Sequence, residues 1–194
     1  MTDEYRAARR DEIVEAALAA FRCKGFQAAS MADIIAESGL SAGAIYGHFK
    51  GKSEIVLEVA TRVVGERVHD VQRLGESEQL VPPSRLLRIL VEGMTRDLGD
   101  PTIVVQIWGE AITEPPLKAL AFAAFEKLRT AITAYVILWH QREHGLSYED
   151  AAAIATRQVP LFISAVQGYV LQRAIMPEFD GDAYFATLDE YLPR

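Results

Sequence analysis

The chain has 194 residues, 50% of them apolar and 24% charged. That is enough for one large domain or two smaller ones with a sizeable core, and too apolar for a disordered chain. A formal net charge of −7 argues against general polyanion binding, so any nucleic-acid site has to be local. The single cysteine, Cys23, excludes a disulfide framework and an all-cysteine zinc site. Residues 1–10 are polar and charged, unlike a secretory signal, and the longest apolar run, 131–139, is half a membrane span. A soluble, cytoplasmic protein with no membrane segment is expected.

Apolar residues recur at helical spacing almost throughout, which predicts an all-α fold of about nine helices. Ile13, Ala16, Ala17, Ala20 and Phe21 form the stripe of a first helix over 5–24, with Gly25 as its C-cap and Phe26 as the apolar residue beyond. Ser30, followed by Asp33, marks the start of a short second helix that stops at Ser38-Gly39. Ser41 caps a third over 42–49, and Gly51-Lys52 opens a long fourth reaching about Gly75. A polar loop ending in Pro82-Pro83 leads to a fifth over 84–98. Asp100-Pro101 reads as a cap with proline at the first helical position. The β-branched stretch 102–108 is read as helix, since a lone strand has no partner here. Glu114-Pro115-Pro116 begins a helix ended by Gly145. Ser147 and Asp150 resemble a capping box for the next, which carries Pro160 inside it and is expected to bend there. A short helix over 182–192 closes the chain.

The segment Ser30 to Ser53, SMADIIAESGLSAGAIYGHFKGKS, holds the chemistry. Two short helices joined at Glu37-Ser38-Gly39-Leu40 form a helix-turn-helix pattern, with Gly39 able to take the left-handed backbone of the turn. Ile34, Ile35, Leu40, Ile45 and Phe49 are its packing residues. The second helix of such a motif enters the DNA major groove. Here its outward positions are unusually small, with Ala42, Gly43, Ala44 and Gly47 allowing close approach and Tyr46 and His48 the larger groups. Each helical glycine costs roughly 1 kcal/mol in propensity, so close approach is the reason sought for them.

The first fifty or so residues resemble the DNA-binding domain of the TetR family of bacterial transcriptional regulators. The resemblance rests on Ile13, Ala16, Ala17, Phe21, Gly25, Ser30, Ile34, Ala36, Gly39, Leu40, Ser41, Gly43, Ile45, Tyr46, His48, Phe49 and Lys52. Ser30 departs from the commoner threonine and Gly47 from a commoner larger residue. The resemblance implies phosphate contacts from Ser30, Tyr46, His48 and Lys52, and base-edge proximity for Ser41, Ala42, Gly43 and Ala44. It divides the chain into a DNA-binding domain over 1–53 and a regulatory, ligand-binding and dimerisation domain over 54–194. Residues 1–53 carry seven basic and seven acidic groups, and the remainder thirteen and twenty. Arg6, Arg9 and Arg10 are candidates to reach the backbone or minor groove.

No glycine-rich phosphate loop, nucleophile elbow or Glu-Xaa-Xaa-His pair is present, so no enzymatic activity and no cofactor are expected. His140 and His144 have metal-compatible spacing but no carboxylate on their face. Met94, Trp108, Phe122, Phe125, Tyr135, Trp139 and Phe162 each read singly as core. Together, with Gln106, Glu110, Gln158 and Gln167 among them, they suggest an apolar ligand cavity with a few polar anchors. The resemblance also implies a homodimer through the last two helices, with Phe162, Ala165, Val166, Gly168 and Tyr169 facing Tyr184, Leu188 and Tyr191. The expected function is a ligand-responsive DNA-binding regulator, more specifically a repressor released from a near-palindromic double-stranded operator by a small apolar or amphipathic molecule. The alternative is a helical small-molecule-binding protein or enzyme that keeps this N-terminal fold without sequence-specific DNA binding.

Overall fold

Glycines and side-chain caps divide the chain where the sequence marks them. The structure, a computed structural model, describes residues 3–99 and 103–192. The first helix, α1 (Asp3–Lys24), ends at Gly25, whose φ of +80° is the left-handed geometry that favours glycine. Phe26 then folds back edge-on to Phe21, ring centroids 5.3 Å apart. α2 (Met31–Ser38) begins with a complete capping box: the Ser30 hydroxyl accepts from the Asp33 N–H, and the Asp33 carboxylate accepts from the Ser30 N–H at 2.8 Å.

α3 spans Ala42–Tyr46, shorter than the expected 42–49. The Ile45 carbonyl accepts from both the His48 and the Phe49 N–H at 2.9 Å. This tighter turn ends the helix and drops Phe49 into the core. α4 (Lys52–Glu76) and α5 (Pro83–Leu98) follow. The β-branched stretch is indeed helical, as α6 (Ile103–Thr113), because Ile103, Ile107 and Ala111, four apart, bury one face. The proposed cap at Asp100-Pro101, and Thr102, lie outside the described residues. α7 (Pro115–His144) ends at left-handed Gly145, and α8 (Tyr148–Ile175) starts at Ser147, which accepts from the Asp150 N–H. α8 runs on through Pro160, which has no N–H to offer the Thr156 carbonyl. α9 (Gly181–Tyr191) is capped by Asp180. The described residues thus form nine helices and no strand.

Two apolar clusters organise them. One joins Ile13, Ala17 and Phe21 of α1 to Ile34, Ile45, Phe49 and the α4 residues Ile55, Val56, Val59 and Val63, and reaches Leu98, Ile107 and Leu117. The other gathers Leu86, Leu90, Ile132, Val136, Trp139, Val159, Phe162, Tyr169 and Phe185. α4 contributes to both, since Val71 belongs to the second. Tyr135 pins the α4–α5 loop: its hydroxyl donates to the Val81 carbonyl at 2.8 Å and accepts the Val81 N–H at 3.0 Å. Burial pushes this phenol above its ordinary pKa. No helix among the described residues is long and apolar enough to cross a membrane.

Candidate nucleic-acid interface and helical cavity

The turn between α2 and α3 is braced locally. Gly39 takes φ +64°, the Ser38 hydroxyl donates to the Ile35 carbonyl at 3.0 Å and accepts the Leu40 N–H at 3.2 Å. Ile45 and Phe49 are fully buried and hold α3 from beneath. Opposite them, Ser41, Ala42, Gly43, Ala44 and Gly47 are all exposed, and Tyr46 stands 52% exposed among them. A Cβ on Gly43 would meet nothing within 4 Å. The small side chain there is therefore not dictated by packing within the chain, and it leaves the α3 backbone open to an approaching surface. The Ser41 hydroxyl caps α3 through the Ala44 N–H at 3.2 Å.

The flanking groups are more committed than the sequence suggested. The Ser30 hydroxyl also donates to Asp33 at 2.7 Å, and Asp33 pairs with Lys24 at 2.5 Å. A carboxylate of the chain itself thus occupies the α2 N-terminus, where the resemblance put a phosphate. The Lys24 contact first, then the Ser30 N–H and hydroxyl, hold the Asp33 carboxyl well below the usual carboxylate range. Ser30 is a capping residue. Lys52 is half-buried, its ammonium donating to the Gln27 carbonyl at 3.2 Å and lying 4.6 Å from the Phe26 ring centroid. His48 is half-buried beside Tyr46.

Of the three N-terminal arginines, Arg10 turns inward. Its guanidinium stacks 4.2 Å over the Phe49 ring, donates to the His48 carbonyl at 3.0 Å and pairs with Glu58 of α4. Arg9 bonds Tyr5 and Glu12 within α1, while Arg6 is exposed. Arg10 is the functional surprise here. It clamps α1, the end of α3 and α4 together, and no spacing rule connects residues 10, 49 and 58. Arg62 adds a second tie, at 3.1 Å from Glu15 of α1. Exposed pairs of this kind contribute at most about 1 kcal/mol each, so the shared apolar cluster does most of the holding.

Residues 13–59 match the family model described as bacterial regulatory proteins, tetR family. Over that N-terminal segment the chain is similar to the TetR family. It is 32% identical over 107 residues to the HTH-type transcriptional regulator YfiR of Bacillus subtilis, a stretch covering 55% of this chain and 52% of that one. It is 36% identical over 91 residues to the HTH-type transcriptional regulator TtgR of Pseudomonas putida, covering 46% and 42%. The chain thus matches about half the length of these curated relatives. A solved TetR-family structure from Mesorhizobium loti superposes over 98% of this chain and 95% of its own, at a TM-score of 0.74 and 21% identity. A solved transcriptional-regulator structure from Saccharomonospora viridis, in complex with choline, covers 95% of each chain at a TM-score of 0.69 and 22% identity. At these identities the solved structures establish the fold.

Behind α2 and α3, a cavity of about 150 Å³ lies among α4 to α8. Met94, Trp108 and Phe125 line it. The other four aromatic candidates do not. Phe122 points away, 65% exposed; Tyr135 is buried against Val81; Trp139 packs edge-on to His140 and His144; Phe162 is solid core. At Tyr135, Trp139 and Phe162 the wide side chains serve packing, as each read singly suggested, whereas Phe122 is neither core nor cavity wall. Of the polar candidates, Gln167 lines the cavity, while Gln158 bonds His140 Nε2 at 2.9 Å. The sequence reading missed Arg67, which also lines it and is 3% exposed. Gly93, in the middle of α5, was the available signal: a Cβ there would sit 2.6 Å from the Arg67 guanidinium.

The expected dimer stripe also needs correction. Phe162 and Tyr169 are buried in the protomer, and Val166 faces the cavity. Ala165 and Gly168 lie against α9, where the Tyr184 hydroxyl donates to the Ala165 carbonyl at 2.8 Å and sits 3.3 Å from a Cβ placed on Gly168. The outward stripe of α8 is instead Ala153, Arg157, Leu161, Ser164, Leu171 and Ile175, all exposed. Tyr191 of α9 is exposed as well.

Proposed function

We propose that this chain is a cytoplasmic, homodimeric transcriptional repressor that binds a near-palindromic double-stranded operator through α3 and is released by a small molecule held in the helical cavity. The observation that carries the reading is the face of α3. Ser41, Ala42, Gly43 and Ala44 offer small, exposed positions beside Tyr46, on a helix anchored by Ile45 and Phe49, in a family-matched segment. Such a surface brings backbone and short side chains to base edges, while Tyr46 and His48 serve phosphates. Lys52 is assigned a phosphate contact through the ammonium donors that Gln27 leaves free. Leu161, Leu171 and Ile175 of α8, with Tyr191 of α9, are assigned to the interface with the second copy, because large apolar side chains at helical spacing otherwise face water.

α4 is assigned the coupling role. Its first half shares a core with α1 and α3 and is tied to α1 by Arg10–Glu58 and Arg62–Glu15, while Val59, Val63 and Arg67 line the cavity. A ligand that shifts α4 changes the separation of the two α3 helices in the dimer and so lowers operator affinity. The test begins with the purified protein selecting from genomic DNA fragments, which delivers the operator. On that operator, Tyr46→Ala is expected to weaken binding by about 1–3 kcal/mol, the scale of one good contact, with an unchanged melting temperature. Parental affinity in the variant would remove α3 from the interface.

A further inference from the structure

The cavity walls are apolar apart from Arg67, Arg129 and Gln167. Arg129, at the rim, is engaged by both carboxylate oxygens of Glu126, at 2.9 and 2.5 Å. Arg67 is different. Its Nε donates to Asp70 at 2.8 Å, but its Nη1, 2.8 Å from Asp97 Oδ2, is not aligned for a hydrogen bond, and both atoms are buried without a hydrogen-bond partner. A buried N–H left unmade is costly. The chain nevertheless arranges for it, since glycine at position 93 is what admits the guanidinium against α5.

We infer that Arg67 is the residue through which this cavity reads its ligand, and that the ligand is an uncharged, largely apolar molecule carrying one strong hydrogen-bond acceptor. This rests on the cavity being the effector site proposed above. The acceptor takes the unfilled Nη1–H, and the half-buried Gln167 amide, which holds no hydrogen bond among the described residues, offers a second polar contact. Charge excludes the alternatives. Arg67 already faces Asp70 and Asp97, Asp70 is shared with Arg73, and Arg129 is held by Glu126, so a carboxylate ligand finds no cation on the wall that lacks an anion of its own. No acidic residue lines the cavity, so a cationic ligand finds no counter-charge. An apolar cavity near 150 Å³ accommodates a benzene-sized molecule. Because Arg67 and Asp97 join α4 to α5, a ligand that draws Nη1 away from Asp97 loosens the same helix that carries the DNA-binding core.

The test uses the full chain with Trp139→Phe, which leaves Trp108, on the cavity wall, as its single tryptophan. Benzonitrile, toluene and benzoate, similar in size but differing in acceptor and charge, are titrated while Trp108 fluorescence is read. Benzonitrile is expected to bind about tenfold or more tighter than toluene, the scale of a hydrogen bond to a charged group, and benzoate weakest of the three. Arg67→Met is expected to erase the preference over toluene. Asp97→Asn keeps the shape, removes one of the two anions, and is expected to raise benzoate affinity at least tenfold relative to benzonitrile. Equal affinity for toluene and benzonitrile, tightest binding of benzoate by the parent, no response to any probe at millimolar concentration, or an Asp97→Asn variant with unchanged ranking would each overturn the assignment. These readings are taken without DNA, so they stand apart from operator binding. A protein that ranks the probes as expected yet ignores DNA would refute the repressor reading and keep the Arg67 assignment.

Discussion

Phe49→Ala is expected to destabilise the part of the chain that carries α3 by about 3–5 kcal/mol, the cost of deleting a buried aromatic ring. Phe49 is 1% exposed. Its ring shares the apolar cluster with Ile45 and carries the Arg10 guanidinium 4.2 Å over its centroid. Alanine leaves a cavity, and Arg10 loses the surface that holds it toward Glu58 and the His48 carbonyl. Domains are stable by only about 5–15 kcal/mol, so a loss of this size takes operator binding with it at moderate temperature. Thermal unfolding followed by circular dichroism measures the effect, and Phe49→Leu should recover much of it. A loss below 1 kcal/mol would mean that α3 is held by something other than this core.

Leu171→Glu combined with Ile175→Glu is expected to give a folded monomer. Both side chains face water in the protomer, 45% and 68% exposed, so the substitutions leave the cores untouched. In the proposed dimer they bury unpaired, like-signed charges near the two-fold axis, which such an interface cannot hold. Sedimentation or light scattering reports the mass. The consequence for DNA is larger than that of any single contact. Linking two half-site contacts raises overall affinity by 10² to 10⁴ through effective concentration alone, and a monomer forfeits that factor. A variant that remains dimeric would move the interface away from this stripe.

The capping elements were legible because they act within a few residues. Ser30 with Asp33, Ser147 with Asp150, and left-handed Gly25, Gly39 and Gly145 each place a donor, an acceptor or a positive φ at fixed local spacing. The small-residue face of α3 was legible for the same reason. Helix faces were harder. α8 has one apolar stripe toward its own core, through Phe162 and Tyr169, and another toward solvent, through Leu161, Leu171 and Ile175. Periodicity reveals that stripes exist but not which one is turned inward. The cavity posed the same problem: Trp139 and Trp108 are both wide side chains on apolar faces, and what separates a filled core from a lined void is the approach of other helices. The contacts over Arg10 and Arg67 join residues 39 to 48 and 30 positions apart. They are set by tertiary packing, and the mid-helix Gly93 is the trace that the Arg67 contacts leave in the sequence.

In the proposed dimer, two copies of α3 read one operator. Footprinting of the DNA fragment selected by the full chain is the test. One protected region is expected, with two-fold symmetric halves whose centres lie about 34–36 Å apart, one helical turn, or a multiple of it. Protection should weaken together in both halves for Tyr46→Ala. Uniform protection without preferred sequence, or a single asymmetric half unaffected by Tyr46→Ala, would contradict it.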